Sequence, residues 1–431
     1  MYELLDDLRV TEISAFVAAP LAGLQLAQLG AEVIRIDQIG GGPDFGRWPL
    51  APGGASLFWE GLNRGKRSVA LDLSRPEGQE IARAVATAPG PGAGLLVTNL
   101  PVAGFLAHDR LAALRPDQIT LRVMGWPDGR NAVDYTINAS LGLPMITGPE
   151  DDPRPVNHVL PAWDLITGTT AALALLAAER QRRRDGTGGE IRLPLSDIAV
   201  STLANLGMLA ETAVTGHDRA RAGNHLFGAF GRDYVAACGA RIMLVALTAR
   251  QWRGLVRALD IGAGVAALEA RLGLSFDRDE GLRFRHHAAL DPIVARAVAA
   301  RPLAELAPAL EAAQVCWDRY RGLSEAVAED ARLVAANPVF ADLAQPSGAT
   351  YPAPGFAASF TARPRRPPRP TRPIGADTDR VLAEVLGLGE GQIGRLHDQG
   401  LARGPTAPDA ALPGTASPAP SRSAARGARR R

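Results

Sequence analysis

The residue best placed for covalent chemistry is an aspartate directly before a long apolar stretch. Asp164 stands in Leu160-Pro-Ala-Trp-Asp164-Leu-Ile-Thr-Gly168, and residues 169–178 continue the apolar run. This position predicts a helix N-terminus, where Asp164 would cap the free N–H groups and the helix dipole favours its charge by about 0.3–1 kcal/mol. An ionised carboxylate held there can equally act as a nucleophile, and nearby N–H groups can stabilise an oxyanion. Both interpretations stay open on the residues alone.

A second chemical candidate is the chain's single lysine. Lys66 lies in Asn63-Arg-Gly-Lys-Arg-Ser68, in a chain that otherwise uses arginine for its basic side chains. A compact ammonium before a strand suits a phosphate contact. The alternative is an ordinary surface lysine, and the pattern does not separate the two.

Strand and helix patterns alternate through the first half of the chain and must position these residues. The predicted strands are residues 8–14, 31–37, 67–73, 94–99, 119–124 and 189–195. The predicted helices are residues 21–29, 78–87, 109–114, 164–182 and one that ends near residue 214. This alternation predicts an α/β fold with a parallel sheet, whose ligands bind at the carboxyl ends of its strands.

The second half of the chain changes character after Gly223-Asn224. Residues 233–237 and 242–247 predict a hairpin followed by helices, and proline and glycine become frequent over residues 337–373. We therefore predict a large Rossmann-like domain over residues 1–215 and a smaller α+β domain over residues 216–335. A linker and return to the large domain would occupy residues 336–402, and residues 403–431 would form a disordered tail.

The first two strands imitate a dinucleotide-binding unit. Asp37 ends the second strand, where such a unit places its ribose-binding acid. The turn after the first strand, however, reads Phe16-Val-Ala-Ala-Pro20 and lacks the glycines that let the backbone approach a pyrophosphate. A nicotinamide cofactor is therefore not expected.

Composition narrows the class of protein further. Hydrophobic residues make up 46% of 431 residues, and 47 Lys+Arg nearly balance 45 Asp+Glu, which excludes a basic nucleic-acid-binding face. Cys238 and Cys316 lack partners at metal-ligand spacing, so we expect no metal and a reducing cytoplasm. The N-terminus is acidic where a signal peptide carries basic residues, so we expect no signal peptide. No apolar run approaches membrane-spanning length, so we expect no membrane partner.

Taken in order and spacing, these segments resemble the family III CoA-transferases to about residue 402. The matching motifs are Ala19-Pro-Leu-Ala-Gly23, Leu29-Gly-Ala-Glu-Val-Ile34, Asn63-Arg-Gly-Lys-Arg-Ser68, Thr98-Asn99, Asp164-Leu-Ile-Thr-Gly168, Gly223-Asn224 and Ile374-Gly-Ala-Asp-Thr-Asp379. The resemblance implies a homodimer of two interlocked rings. It also implies that Asp164 is the catalytic carboxylate, and that CoA is bound at Lys66, Arg67, Asn99 and Leu100.

Further motifs narrow the resemblance within the family. They are Val133-Asp-Tyr-Thr-Ile-Asn138, Leu141-Gly-Leu-Pro144, Thr147-Gly-Pro149 and Val156-Asn-His-Val-Leu-Pro-Ala-Trp-Asp164. They are similar to enzymes that move CoA between the C1 and C4 carboxylates of mesaconyl-CoA through an aspartyl-CoA intermediate, with no cofactor beyond the substrate's own CoA. A cation for the spare carboxylate would then come from Arg130, Arg154 or His158, with Tyr135 as a hydrogen-bond donor.

Other functions remain compatible with the same residues. One is an intermolecular transferase that exchanges CoA with another small carboxylic acid. Another is an acyl-CoA racemase, although this chain has Arg130-Asn131 where racemases carry a histidine and would have to use His158. The last is a non-catalytic CoA-binding protein in which Asp164 only caps its helix.

Overall fold

A computed structural model describes residues 1–405, in which strands and helices alternate along the first half of the chain. The strands are β1 (Arg9–Ile13), β2 (Glu32–Gln38), β3 (Arg67–Leu71), β4 (Leu95–Thr98), β5 (Ile119–Met124), β6 (Gly189–Pro194), β7 (Phe230–Val235), β8 (Arg241–Ala246), β9 (Cys316–Arg319), β10 (Phe340–Ala344), β11 (Thr350–Pro354) and β12 (Ala402–Arg403). The helices are α1 (Ala18–Leu29), α2 (Leu57–Asn63), α3 (Pro76–Thr87), α4 (His108–Leu114), α5 (Asp134–Ser140), α6 (Leu143–Ile146), α7 (Ala162–Asp185), α8 (Leu195–Asn205), α9 (Met208–Thr215), α10 (Ala249–Leu259), α11 (Gly262–Leu272), α12 (Glu280–Arg285), α13 (His287–Ala299), α14 (Leu303–Ala312), α15 (Leu323–Glu329), α16 (Thr378–Leu386) and α17 (Glu390–Asp398).

A seven-stranded sheet in the order β12-β3-β2-β1-β4-β5-β6 forms the centre of the fold. The pairs β1–β2, β1–β4, β2–β3 and β4–β5 are parallel, and β12 joins the β3 edge antiparallel. The predicted α/β class with a mainly parallel sheet is therefore confirmed.

Helices cover both faces of this sheet, so its inner strands are buried on both sides. Helices α1 and α7 pack on one face, and α3, α4, α16 and α17 pack on the other. Close packing of α7 on α1 depends on Gly168, because a Cβ atom there would lie 2.7 Å from Ala18 O.

Several predicted boundaries differ from the observed ones for local reasons. The helix predicted to end near residue 214 breaks into α8 and α9 at Gly207, which has a φ of 76°. The proline-rich stretch predicted to be extended contains the hairpin β10–β11, and β9 adds a third strand to the predicted hairpin β7–β8. Alternation of side chains is weak in these short strands, which explains why their pattern was missed.

The chain divides into two compact units. The first unit contains Met1–Val123, Thr167–Leu193 and the described residues from Val339 onward, and the second contains Met124–Ile166 and Pro194–Pro338. Residues 124–166 and 194–215, which the sequence assigned to the large domain, therefore belong to the second unit. That unit has its own core around the β7–β8–β9 sheet.

The return of the chain to the sheet is fixed by side-chain hydrogen bonds in the first unit. The Asp377 carboxylate accepts from Ser68 N at 3.0 Å, and Thr378 Oγ1 accepts from Ala70 N at 3.0 Å. Most of the predicted disordered tail, from residue 406 onward, lies outside the described residues.

Among residues 1–405, no single helix is long and apolar enough to cross a membrane. Helices α8 and α9, which meet at a bend of 68°, reach that length and composition only when taken together.

Candidate active site

The candidate nucleophile lies in the first turn of α7 and not at its cap. The helix begins at Ala162, two residues before the predicted start, so Asp164 is its third residue. The N–H groups of Trp163 and Asp164 donate to Asp134 Oδ2 at 2.7 and 3.2 Å, and Ala162 N donates to Leu160 O. Asp134 is therefore an acceptor at this helix N-terminus, a role that the sequence analysis considered only for Asp164.

Asp134 is the residue of the candidate site that the sequence analysis did not single out. It is the first residue of α5 and is 1% exposed. Its Oδ2 atom holds the start of α7, and its Oδ1 atom lies 2.5 Å from His158 Nε2. One buried carboxylate thus connects the backbone of the candidate nucleophile to a histidine that is 24% exposed at its side chain.

A chain of amide side chains fixes the same segment. Trp163 Nε1 donates to Asn138 Oδ1 at 3.3 Å, and Asn138 Nδ2 donates to Asn157 Oδ1 at 2.7 Å. Asn157 Oδ1 also accepts from His158 N at 3.1 Å. Because Trp163 and Asn138 are buried, these bonds hold the residues before Asp164 in one conformation.

The four residues predicted to bind the spare carboxylate divide into two pairs. His158 lies against Tyr135, with ring centroids 5.4 Å apart, and the Tyr135 hydroxyl donates to Val159 O at 3.2 Å. Arg130 instead pairs with Asp128 at 2.7 Å, and Arg154 pairs with Asp152 at 2.6 Å. Both arginine side chains are at least 75% exposed, so the geometry favours His158 and Tyr135 over them.

Lys66 lies in the interior of the first unit. Its Nζ donates to Pro20 O and Asn63 Oδ1 and lies beside Glu12 Oε2, each at 2.8 Å. Space for this pair depends on Gly23, because a Cβ atom there would lie 1.8 Å from Glu12 Oε2. Burial lowers the pKa of Lys66 to about 8, although Glu12 opposes the shift. A CoA contact for Lys66 stays a prediction, but its ammonium already makes two internal hydrogen bonds and a buried ion pair.

Asp37, the acid that imitates a ribose-binding residue, belongs to the same buried cluster. Arg35 donates to both Asp37 oxygens and to Glu12 Oε1, and it lies 3.8 Å from Asp44. Burial raises the pKa of Asp37, while Arg35 pulls it the other way. The carboxylate is thus directed at an internal arginine.

The other predicted CoA contacts lie toward different ends of the strands. Asn99 follows β4 and exchanges two hydrogen bonds with the backbone of Ala15, at 3.1 and 2.8 Å, and Leu100 N donates to Thr98 Oγ1. Arg67 begins β3 and pairs with Glu32 and Glu384. Asn99 and Leu100 therefore lie at the carboxyl end, where ligands of such sheets bind, whereas Arg67 lies at the amino end.

Phe16, next to Ala15, has a left-handed backbone that is uncommon outside glycine. Its φ is 70°, its N–H donates to Asp44 Oδ2 at 2.9 Å, and its ring is 42% exposed. Strained turns of this kind cluster at binding sites. No feature of the sequence distinguished Phe16 from an ordinary loop residue.

Comparison with known proteins identifies the family. The model of CoA-transferase family III matches residues 5–378. The chain belongs to CoA-transferase family III. Its similarity to 2-methylfumaryl-CoA isomerase of Chloroflexus aurantiacus is 48% identity over 406 residues, 94% of this chain and 99% of the relative. It is also 33% identical to succinyl-CoA–D-citramalate CoA-transferase of the same organism, over 52% of this chain and 56% of that protein.

The fold of this family III chain also matches a solved structure. The crystal structure of a CAIB/BAIF family protein from Brucella suis has a TM-score of 0.73 and 22% sequence identity, with 89% of this chain and 100% of that chain covered. The match supports the arrangement of helices and strands described above.

Proposed function

We propose that this chain moves CoA between the C1 and C4 carboxylates of 2-methylfumaryl-CoA, also called mesaconyl-CoA. The observation that carries this proposal is the 48% identity to 2-methylfumaryl-CoA isomerase along nearly the full length of both chains. The second relative, an intermolecular CoA-transferase by name, is less similar and matches only about half of each chain. An isomerase and a transferase share one covalent route, so the same nucleophile serves either.

Asp164 is the proposed nucleophile. Its carboxylate attacks the thioester carbonyl, which forms a mixed anhydride and releases CoA thiolate. The thiolate attacks the aspartyl carbonyl, giving aspartyl-CoA and free mesaconate. The acid turns, its other carboxylate attacks the aspartyl-CoA, and the thiolate released then attacks the new anhydride. The product thioester forms and Asp164 is restored, so no atom is gained or lost.

Asp134 and His158 are proposed to position the reacting groups. Because Asp134 accepts the Trp163 and Asp164 amides, it fixes the backbone from which the nucleophile projects. His158 is held by the second oxygen of the same carboxylate. A carboxylate only accepts hydrogen bonds, so Nε2 carries a proton, and a doubly protonated His158 has a second N–H for the spare carboxylate. Tyr135 packs beside this ring.

We further propose that the nucleotide part of CoA binds near Asn99 and Leu100, beside the strained Phe16 turn. Sites at the carboxyl ends of parallel strands are the rule for open α/β sheets. The hydrogen bonds between Asn99 and Ala15 would keep this loop in shape before the ligand arrives.

A homodimer is proposed on the basis of exposed apolar side chains. Val159, Leu160, Leu173 and Val214 are between 65% and 91% exposed. Val159 and Leu160 are neighbours in the chain, and large apolar residues exposed side by side are typical of surfaces that a partner covers. A second copy of the chain, as the family resemblance implies, would bury them.

The proposal is tested by supplying isotopically labelled free mesaconate in excess during isomerisation. If the acid stays in the site, the C4 thioester forms without label, because retention replaces a bimolecular encounter with a unimolecular step. Label that enters the product as fast as isomerisation proceeds would mean that the acid escapes. The chain would then be an intermolecular transferase.

A further inference from the structure

Outside the candidate active site, three side chains of the second unit converge with atoms that could bind a metal ion. Glu150, His225 and His287 each offer one such atom, and the three atoms lie within 4.8 Å of one another. Glu150 Oε1 is 3.8 Å from His225 Nδ1 and 3.9 Å from His287 Nε2, and the two imidazole centroids are 4.3 Å apart.

The outer nitrogens of both histidines are held by oxygen acceptors. His225 Nε2 lies 2.8 Å from Asp291 Oδ2, and His287 Nδ1 lies 2.7 Å from Phe284 O. His287 Nδ1 therefore carries a proton and its Nε2 presents a lone pair, whereas His225 Nδ1 faces Ala222 O at 3.0 Å and has to release any proton it carries there before it can bind a metal ion. A carboxylate or carbonyl behind each histidine is the usual support of a metal ligand.

Asp291 is itself fixed by two further donors. Arg232 donates to its Oδ2 at 2.7 Å, and the Tyr234 hydroxyl donates to its Oδ1 at 2.8 Å. Its position is thus set by the β7 strand, so His225 cannot easily turn away. Ala222 O lies 3.0 Å from His225 Nδ1 and Glu150 Oε1 lies 3.8 Å from it, so this nitrogen faces two oxygen atoms. A metal ion bound there would take the place of a proton on Nδ1.

Backbone contacts bring Glu150 to the histidines without any help from a metal. Gly223 N donates to Gly148 O at 3.1 Å, and Arg221 Nε donates to Met145 O at 2.7 Å. The loop that carries Glu150 is therefore tied to the loop that carries His225. Because the Glu150 side chain is 56% exposed, it can shift by the few tenths of an ångström that coordination requires.

We propose that Glu150, His225 and His287 form a binding site for one divalent transition-metal ion of the Zn²⁺ or Co²⁺ class. Two imidazoles and a carboxylate are a ligand set that these ions favour, at about 2.0–2.2 Å from each atom. Tetrahedral coordination needs ligand atoms roughly 3.3 Å apart, slightly closer than the distances to Glu150 here. The ion would link the 145–154 loop to the start of α13 and takes no part in the CoA-transfer steps.

The experiment uses the untagged full-length protein after dialysis against a chelator. Co²⁺ is titrated in, and its visible absorption and the bound metal per chain are measured, followed by displacement with Zn²⁺. We expect one Co²⁺ per chain, at least about tenfold weaker binding in Glu150→Gln and His287→Gln, and wild-type binding in His217→Gln. His217 is an exposed histidine of the same unit and serves as the matched control.

Thermal melting separates loss of the site from loss of the fold. In the presence of chelator, all variants should melt at the temperature of the wild type. Zn²⁺ should raise the melting temperature of the wild type and of His217→Gln, but not that of Glu150→Gln or His287→Gln. The proposal is overturned if the wild type shows no saturable binding, or if His287→Gln and Glu150→Gln bind Co²⁺ as well as the wild type.

Discussion

Two charged clusters, one in each unit, show how similar residue types take on different tasks. In the first unit, Lys66 and Arg35 are enclosed with Glu12, Asp37 and Asp44, and each of these side chains is at most 3% exposed. In the second unit, buried Asp134 accepts from a backbone amide of Asp164 with one oxygen and contacts the partly exposed His158 with the other. The charges of the first cluster pair with one another inside the protein, whereas the Asp134 carboxylate of the second contacts residues that reach the surface.

A motif alone does not show where its side chains point. A lone lysine and an acid at the end of a strand suggest a phosphate and a ribose, whereas in this fold both side chains belong to one buried cluster of charges. Burying five charges is tolerable only because every charge has partners, so removing one should destabilise the fold. In the second cluster a substitution should instead affect turnover. The following predictions test this division.

The largest expected effect is on turnover, in Asp164→Ala. Loss of the nucleophile should lower kcat by about 10³-fold or more, with little change in stability, because Asp134 still accepts the helix amides. Isomerisation rate and thermal melting are measured side by side. Asp128→Ala, which removes an exposed aspartate of the same unit, is the control and should retain full activity. Substantial turnover in Asp164→Ala would remove this residue from the nucleophile role.

The second largest effect is on stability, in Lys66→Met. The buried cluster would keep its three carboxylates but lose one of its two cations, and Glu12 would retain only Arg35, which costs about 3–5 kcal/mol of unfolding free energy. Adding Glu12→Gln should restore most of this loss, since a neutral pair replaces the ions. Chemical denaturation of both single variants and the double variant measures the coupling.

The folded double variant also tests the predicted CoA contact of Lys66. An unchanged KM for the CoA thioester is expected, because the Lys66 ammonium is engaged inside the protein by two hydrogen bonds and an ion pair. A raised KM with unchanged kcat would show that Lys66 binds the substrate after all.

A smaller combined effect is expected for Asp134→Ala. Losing the acceptor for the α7 amides should cost about 0.5–2 kcal/mol of stability, and misplacement of Asp164 should lower kcat by about 10–100-fold. Asp279→Ala is the matched control, because Asp279 caps α12 through Gly281 N in the same unit. If both variants lost activity equally, Asp134 would have no positioning role beyond stability.

The smallest effect is a pH dependence from the enclosed cluster. The pKa of Lys66 is about 8 in the folded chain, against an ordinary value of 10.5. Between these pH values the unfolded chain binds the proton that the folded chain has lost, so the contribution of this group to stability rises with pH. From pH 8 to 10, the unfolding free energy of the wild type should therefore rise relative to that of the Glu12→Gln/Lys66→Met variant. Parallel curves would contradict the lowered pKa.

Much of the fold could be predicted from sequence because the parallel sheet leaves a strong pattern. Strands buried on both faces produce runs such as Leu95–Thr98, and Ile119–Met124 was predicted to the residue. Element ends were less predictable, as at α7, where Pro161 precedes a helix that begins two residues before Asp164. The hairpin β10–β11 was missed because prolines obscure its alternation.

The candidate site could be predicted only in part. The position of Asp164 before an apolar helix was visible, and the family resemblance indicated its role. Its dependence on Asp134 was not visible, because a carboxylate reaching a neighbouring helix leaves no spacing rule in the chain. The convergence of Glu150, His225 and His287 was missed for the same reason, because these residues lie far apart in the chain. The expectation of no metal considered only the spacing of residues along the sequence.

The central claim, that Asp164 forms a covalent thioester with CoA, is tested most directly by trapping during turnover. Hydroxylamine or borohydride is added to the enzyme while it isomerises 2-methylfumaryl-CoA, and the peptide that contains Asp164 is analysed by mass spectrometry. The account predicts a hydroxamate or a reduced side chain at Asp164, dependent on substrate and lacking at Asp134. An unmodified Asp164 in enzyme that turns over throughout the trapping would contradict it.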